Sequence, residues 1–108
     1  MTPQDERRAH PRASLRLEAA YEDEDRQIFL SARDLSEGGV YLEARDPPLR
    51  GQRARITLEL PGRPQILRLT GAVVRRDPER GFALSFDPEA VPHAIREQLR
   101  DFVATGDR

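Results

Sequence analysis

Two short stretches of the chain have residue types and spacings that can do chemistry. The first, Arg7-Arg8-Ala9-His10-Pro11-Arg12, is rich in guanidinium groups. A guanidinium forks onto phosphate or onto the O6/N7 edge of guanine, and its plane stacks on flat rings. Pro11 pushes His10 into extended backbone. At full stretch Arg8 and Arg12 then stand about 13 Å apart, so two forks on a flexible arm can close on an anionic ligand from two sides. A solvated basic tail would have the same composition. The second stretch is Asp34-Leu35-Ser36-Glu37-Gly38-Gly39. Strand alternation puts Asp34 and Ser36 on one face and Leu35 on the other, toward a core. A carboxylate beside a hydroxyl can accept from the N–H edge of a purine, guanine above all. Gly39 allows positive φ or close approach of backbone to a ligand. An ordinary turn, with Asp and Ser satisfying their own backbone, is the alternative. Taken together, the two stretches suit a ligand made of guanine and phosphate.

These side chains need a scaffold, and the hydropathy pattern supplies one. Leu15, Leu17, Ala19 and Tyr21 alternate with polar residues, the period of a half-buried strand. Glu22-Asp23-Glu24-Asp25 reads as a solvated hairpin tip. A second strand covers Gln27–Arg33, with an ambiguous inward face at Ile28-Phe29-Leu30. Val40, Leu42 and Ala44 mark a third strand after Gly38-Gly39. The prolines of Asp46-Pro47-Pro48-Leu49-Arg50-Gly51 interrupt the ladder. Ala54, Ile56, Leu58 and Leu60 form strand four, and Pro61-Gly62-Arg63-Pro64 turns the chain. Strand five spans residues 65–75, and Asp77-Pro78-Glu79-Arg80-Gly81 turns it into a sixth at Phe82, Leu84 and Phe86. The period then lengthens to three and four residues at Val91, Ile95, Leu99, Phe102 and Val103, an amphipathic helix. Asp87-Pro88 or Val91-Pro92 would start it, and Gly106 would stop it. The expected fold is all-β, an antiparallel barrel or sandwich with one C-terminal helix.

Composition narrows the function. The 108 residues carry 18 basic and 19 acidic side chains, a balance that argues against a bulk polyanion binder. Every basic residue is arginine. Because arginine also stands at positions such as Arg45, Arg63 and Arg100, the usage reflects a general bias and not a site. The absence of cysteine removes disulfides, Cys-ligated zinc and thiol catalysis. No apolar run exceeds three residues, too short for a membrane span or a secretory core segment. A single cytoplasmic domain is expected.

The order and spacing of the two clusters resemble the PilZ domain, the bacterial receptor module for cyclic di-GMP. The resemblance lies in RxxxR at Arg8–Arg12 and, 22 positions after Arg12, DxSxxG at Asp34, Ser36 and Gly39. The stretch from Gly71 to Phe86, with Gly81 and Phe82, is similar to the family's closing hairpin. The resemblance implies a six-stranded antiparallel PilZ-type β-barrel with a C-terminal helix and a flexible N-terminal arginine arm. It divides the chain into a flexible N-terminus (1–6), the domain (7–104) and a tail (105–108). It implies that Arg8 and Arg12 hold phosphates and guanine faces, that Asp34 and Ser36 bind the guanine N–H edge, and that Gly39 keeps the turn tight. Arginine just before RxxxR is associated in the family with a stacked ligand pair. Arg7 therefore inclines the expectation to two cyclic di-GMP molecules per domain. The chain would act as a free-standing adaptor, monomeric or weakly dimeric, whose ligand-ordered arm presents a surface to an effector protein. No further cofactor, no metal, no nucleic acid and no membrane insertion are expected.

Other function classes find less support. His10 and His93 lie at opposite ends of the chain, and Ser36 has no GxSxG elbow and no base, so no catalytic constellation forms. A nucleic-acid-binding barrel needs aromatic platforms in a basic groove. Only Tyr21, Phe29 and Tyr41 could contribute, and alternation already turns Tyr21 inward. A PilZ-fold interaction domain that binds no nucleotide is the closest alternative; the presence of both motifs speaks against it.

Overall fold

A computed structural model describes residues 17–60 and 66–106. Arg7, Arg8, Arg12 and Leu15 lie outside the described residues, as does the Pro61–Pro64 turn. Six strands follow one another: β1 (Leu17–Glu22), β2 (Gln27–Leu35), β3 (Gly39–Glu43), β4 (Arg53–Glu59), β5 (Ile66–Asp77) and β6 (Gly81–Phe86). They pair antiparallel in the order β1-β2-β3-β6-β5-β4, and β1 pairs with β4 to close the barrel. Closure leaves none of the described strands at a sheet edge.

Alternation decides which side chains fill the interior. Leu17, Ala19 and Tyr21 of β1 point inward with Ala54, Ile56 and Leu58 of β4 and Leu67, Leu69 and Val73 of β5. Tyr21 meets Phe82 edge to face, with ring centroids 5.4 Å apart, the arrangement that aromatic quadrupoles favour. Its hydroxyl donates to Asp23 at 2.5 Å, and Asp23 Oδ1 also accepts from the Asp25 and Arg26 amides. The acidic hairpin tip is thus organised by one carboxylate. In β2 the apolar run resolves by position: Leu30 packs on the core, whereas Ile28 and Phe29 are exposed, Phe29 the more so at 73%.

After β6 a 3-10 turn covers Pro88–Ala90, and helix α1 runs over His93–Gly106. Both proline signals are used in turn, Pro88 opening the short helix and Val91-Pro92 preceding the long one. Val91 is buried with the helical stripe but lies outside the helix, and Gly106 is its last residue rather than a residue beyond it. Leu99 and Val103 join the barrel core, with Ile95 packed beside them, so the helix closes one end of the barrel. None of the described helices is long and apolar enough to cross a membrane.

The exit from β6 is tied down by Asp87. Arg53 of β4 forks onto its carboxylate, through Nη1 at 2.8 Å and through Nη2, and Thr70 of β5 donates at 2.9 Å. The Arg53 fork, with help from Thr70, holds the Asp87 carboxyl below its ordinary value of 3.8 against the opposing effect of desolvation. A carboxyl whose pKa is depressed by folding adds stability that is complete above the unfolded value and is lost as pH falls through the folded one. Asp87→Asn is therefore expected to lower stability at neutral pH. Its melting temperature should fall less steeply than the parent's on acidification below about pH 4, a comparison thermal melts across pH 2–7 can make.

Candidate functional site

The DxSxxG stretch straddles the end of β2. A register shift between Ala32 and Leu35 interrupts the pairing of β2 with β3, and a bulge of this kind re-aims the residues around it. Leu35 enters the core, as alternation requires, and Asp34 is half-buried on the outside. Ser36 lies past the strand end, 9% exposed, folded into the connection to β3. Its Oγ accepts from the Gly38 and Gly39 amides at 3.1 and 3.2 Å and donates to the Gly39 carbonyl at 3.4 Å, beside a Ser36 N–H to Gly39 bond of 2.9 Å. Both hydroxyl acceptor positions are thus spent on the turn, and the long donor bond is the one a ligand can take over without undoing it.

Gly39 serves close packing of backbone on backbone, not a left-handed conformation; among the described glycines only Gly51 has positive φ. Gly39 pairs with Ser85, and a Cβ there would stand 2.4 Å from the Leu84 carbonyl oxygen. The turn is fastened on two further sides. Phe86 donates to the Gly38 carbonyl at 2.9 Å, and Arg100 of α1 forks onto Glu37 at 3.0 and 3.3 Å.

Asp34 opens onto a cleft of about 540 Å³ lined by Arg33, Tyr41, Glu43, Arg75, Asp77 and Arg80. Tyr41 is the unusual member: it is 7% exposed yet takes no part in the core cluster. Val40 and Leu42 point inward, so Tyr41 points outward, and two guanidiniums cover it. Arg75 lies 5.5 Å and Arg33 6.0 Å from its ring centroid, within cation–π range. Arg75 reaches it across β6 because Ala83, paired with both Tyr41 and Arg75, contributes only a methyl group. Asp77 Oδ2 accepts from the Tyr41 hydroxyl at 2.9 Å and from Arg75 at 3.2 Å, and Glu43 holds Arg33 at 3.6 Å. Burial, then the bond to Asp77, pushes the Tyr41 phenol above its ordinary value, so it remains a donor. Arg80 makes no ion pair among the described residues. Its turn is tight: Arg80 N–H bonds to the Asp77 carbonyl at 3.0 Å, and Glu79 has φ of 66°, a conformation that costs a non-glycine residue free energy.

Of the residues singled out in the sequence, Asp34 is the one that lines the cleft, Ser36 and Gly39 build the turn next to it, and Arg7, Arg8 and Arg12 lie outside the described residues. The cleft residues on β3, β5 and the β5–β6 turn carry no local motif. They become neighbours only through the Tyr41–Ala83–Arg75 register. His93 is exposed at the start of α1 with Glu97 at 3.2 Å. Among the described residues no group of three His, Cys, Asp or Glu could hold a metal ion.

The barrel, the capping helix and the motif turn define a class: the model of the PilZ domain family matches residues 6–105, and the chain belongs to that family. Its fold is similar to that of the Bacillus subtilis inhibitor of motility MotI/DgrA, with a TM-score of 0.71 and 19% identity over 97% of this chain and 56% of that one. It is similar also to the PilZ domain of YcgR from Escherichia coli, solved with c-di-GMP, with a TM-score of 0.72 and 17% identity over 94% of this chain and 92% of that one. At such identities the likeness is one of fold. The chain thus spans little more than half the length of MotI/DgrA. No curated protein matches the sequence.

Proposed function

We propose that this domain is a cyclic di-GMP receptor that works as an adaptor, with the nucleotide seated on the Asp34 face and covered by Arg7, Arg8 and Arg12. The carrying observation is the placement of Asp34: a carboxylate that lines one cleft with the guanidiniums of Arg33, Arg75 and Arg80, next to a turn fastened through Ser36, Gly38 and Glu37. Membership of the PilZ family and the c-di-GMP held by the YcgR domain support the choice of ligand. Asp34 accepts from the guanine N–H edge. Ser36, whose acceptor positions are taken, contributes its O–H, and Gly39 keeps β3 against β6.

Charge explains why an arm is needed. The cleft's guanidiniums, Arg33, Arg75 and Arg80, are matched by Asp34, Glu43 and Asp77, so it offers little net attraction to two phosphates. Arg7, Arg8 and Arg12 supply that attraction, and charge-assisted bonds offset the roughly 1–2 kcal/mol per residue of backbone ordering. The ordered arm and nucleotide then form a surface that an effector protein reads. Arg7 favours two ligands per domain. Arg8→Ala and Arg12→Ala are expected to abolish saturable binding while leaving the melting temperature of the free protein unchanged; binding of both as tight as the parent's would refute the assignment.

A further inference from the structure

We infer that Arg75 of β5 is a ligand-binding residue, the stacking partner of the guanine whose N–H edge Asp34 accepts. The inference rests on the reading of the Asp34 face as the nucleotide site. No part of either sequence motif contains Arg75, and three features of the cleft assign it the role.

First, the guanidinium is preorganised. Tyr41 lies beneath it and Asp77 holds it at 3.2 Å, so little rotamer freedom remains to be lost when a ligand arrives. Second, its side chain is still 64% exposed, which leaves guanidinium surface for a second flat ring. A guanine laid there continues a column of Tyr41, guanidinium and base, in which the cation is attracted to the π-systems on both sides. Third, Arg75 and Asp34 line the same cleft, so a single base can take its edge bonds from β2 and its stacking from β5. Arg33, next to Asp34 in sequence, lies 6.0 Å from the same Tyr41 ring, and Arg80 lines the same cleft with its guanidinium available for phosphate.

The chemistry separates planarity from charge. Lysine in place of Arg75 keeps the positive charge and its attraction to Asp77 but removes the plane that stacks. Calorimetric titration with cyclic di-GMP of the parent, Arg75→Ala and Arg75→Lys is therefore expected to show both variants weakened by about tenfold or more, which equals about 1.4 kcal/mol. Thermal melts should show all three folded alike. Arg75→Lys binding as tightly as the parent would overturn the stacking role, and so would parental affinity in Arg75→Ala. Asp34→Ala, titrated alongside, separates this inference from the reading beneath it. Loss of binding in Asp34→Ala with parental affinity in Arg75→Ala defeats the inference alone. Parental affinity in Asp34→Ala defeats the site itself.

Discussion

Asp34→Ala is expected to weaken cyclic di-GMP binding on the order of 100-fold or more while the free domain melts within a degree or two of the parent. A carboxylate meeting the two N–H groups of a guanine edge makes two charge-assisted bonds, each worth roughly 1.5–3 kcal/mol, and about 2.7 kcal/mol is already 100-fold. The neighbouring acceptors are already engaged: Ser36 spends both acceptor positions on Gly38 and Gly39, Asp77 accepts from Tyr41 and Arg75, and Glu43 pairs with Arg33. Stability should hold because Asp34 is half-buried on the barrel exterior, while Leu35 beside it carries the core contact. Titration paired with a thermal melt reads both halves of the expectation. An affinity unchanged by the substitution would remove Asp34 from the site.

Gly39→Ala should do the reverse, losing the fold before it loses any ligand contact. The new methyl carbon would stand 2.4 Å from the Leu84 carbonyl oxygen, well inside contact distance, and the obstacle is backbone. Leu84 cannot retreat: it pairs with Val40 across β3–β6 and with Val73 across β5–β6, and its side chain is fully buried in the core. The seam between β3 and β6 must open to make room. Overpacking of this kind costs about 3 kcal/mol, which for a domain of this size is a fall of more than about 10 °C in melting temperature. Any weaker ligand binding by Gly39→Ala then follows from the displaced turn, whereas in Asp34→Ala it follows from a missing acceptor. A Gly39→Ala protein that melts with the parent would contradict the β3–β6 register.

The barrel was legible in the sequence because burial on one face leaves a period of two. Strands β1, β4 and β6 alternate cleanly since each has one wet face and one dry face. At Ile28-Phe29-Leu30 the pattern fails because an apolar residue stands on the outer face as well. Val91 keeps helical spacing with Ile95 and Leu99 but belongs to the segment before α1; the same core demands an apolar residue there whatever the backbone does. The site was legible only in part. Asp34 and the turn announce themselves locally, as DxSxxG. Alternation carries no information at Ser36, because the strand ends one residue earlier, at Leu35. Tyr41, Arg75 and Arg80 carry no local signal, for their meeting depends on strand pairings that join residues more than thirty positions apart.

The receptor reading is tested most directly by an isothermal titration of the parent protein with cyclic di-GMP, with GMP as the control ligand and Arg8→Ala in parallel. The expected result is saturable binding at micromolar or lower concentration, a stoichiometry near two as Arg7 favours, and no binding by the variant. A folded sample that gives no heat, and whose melting temperature cyclic di-GMP does not raise, would contradict it.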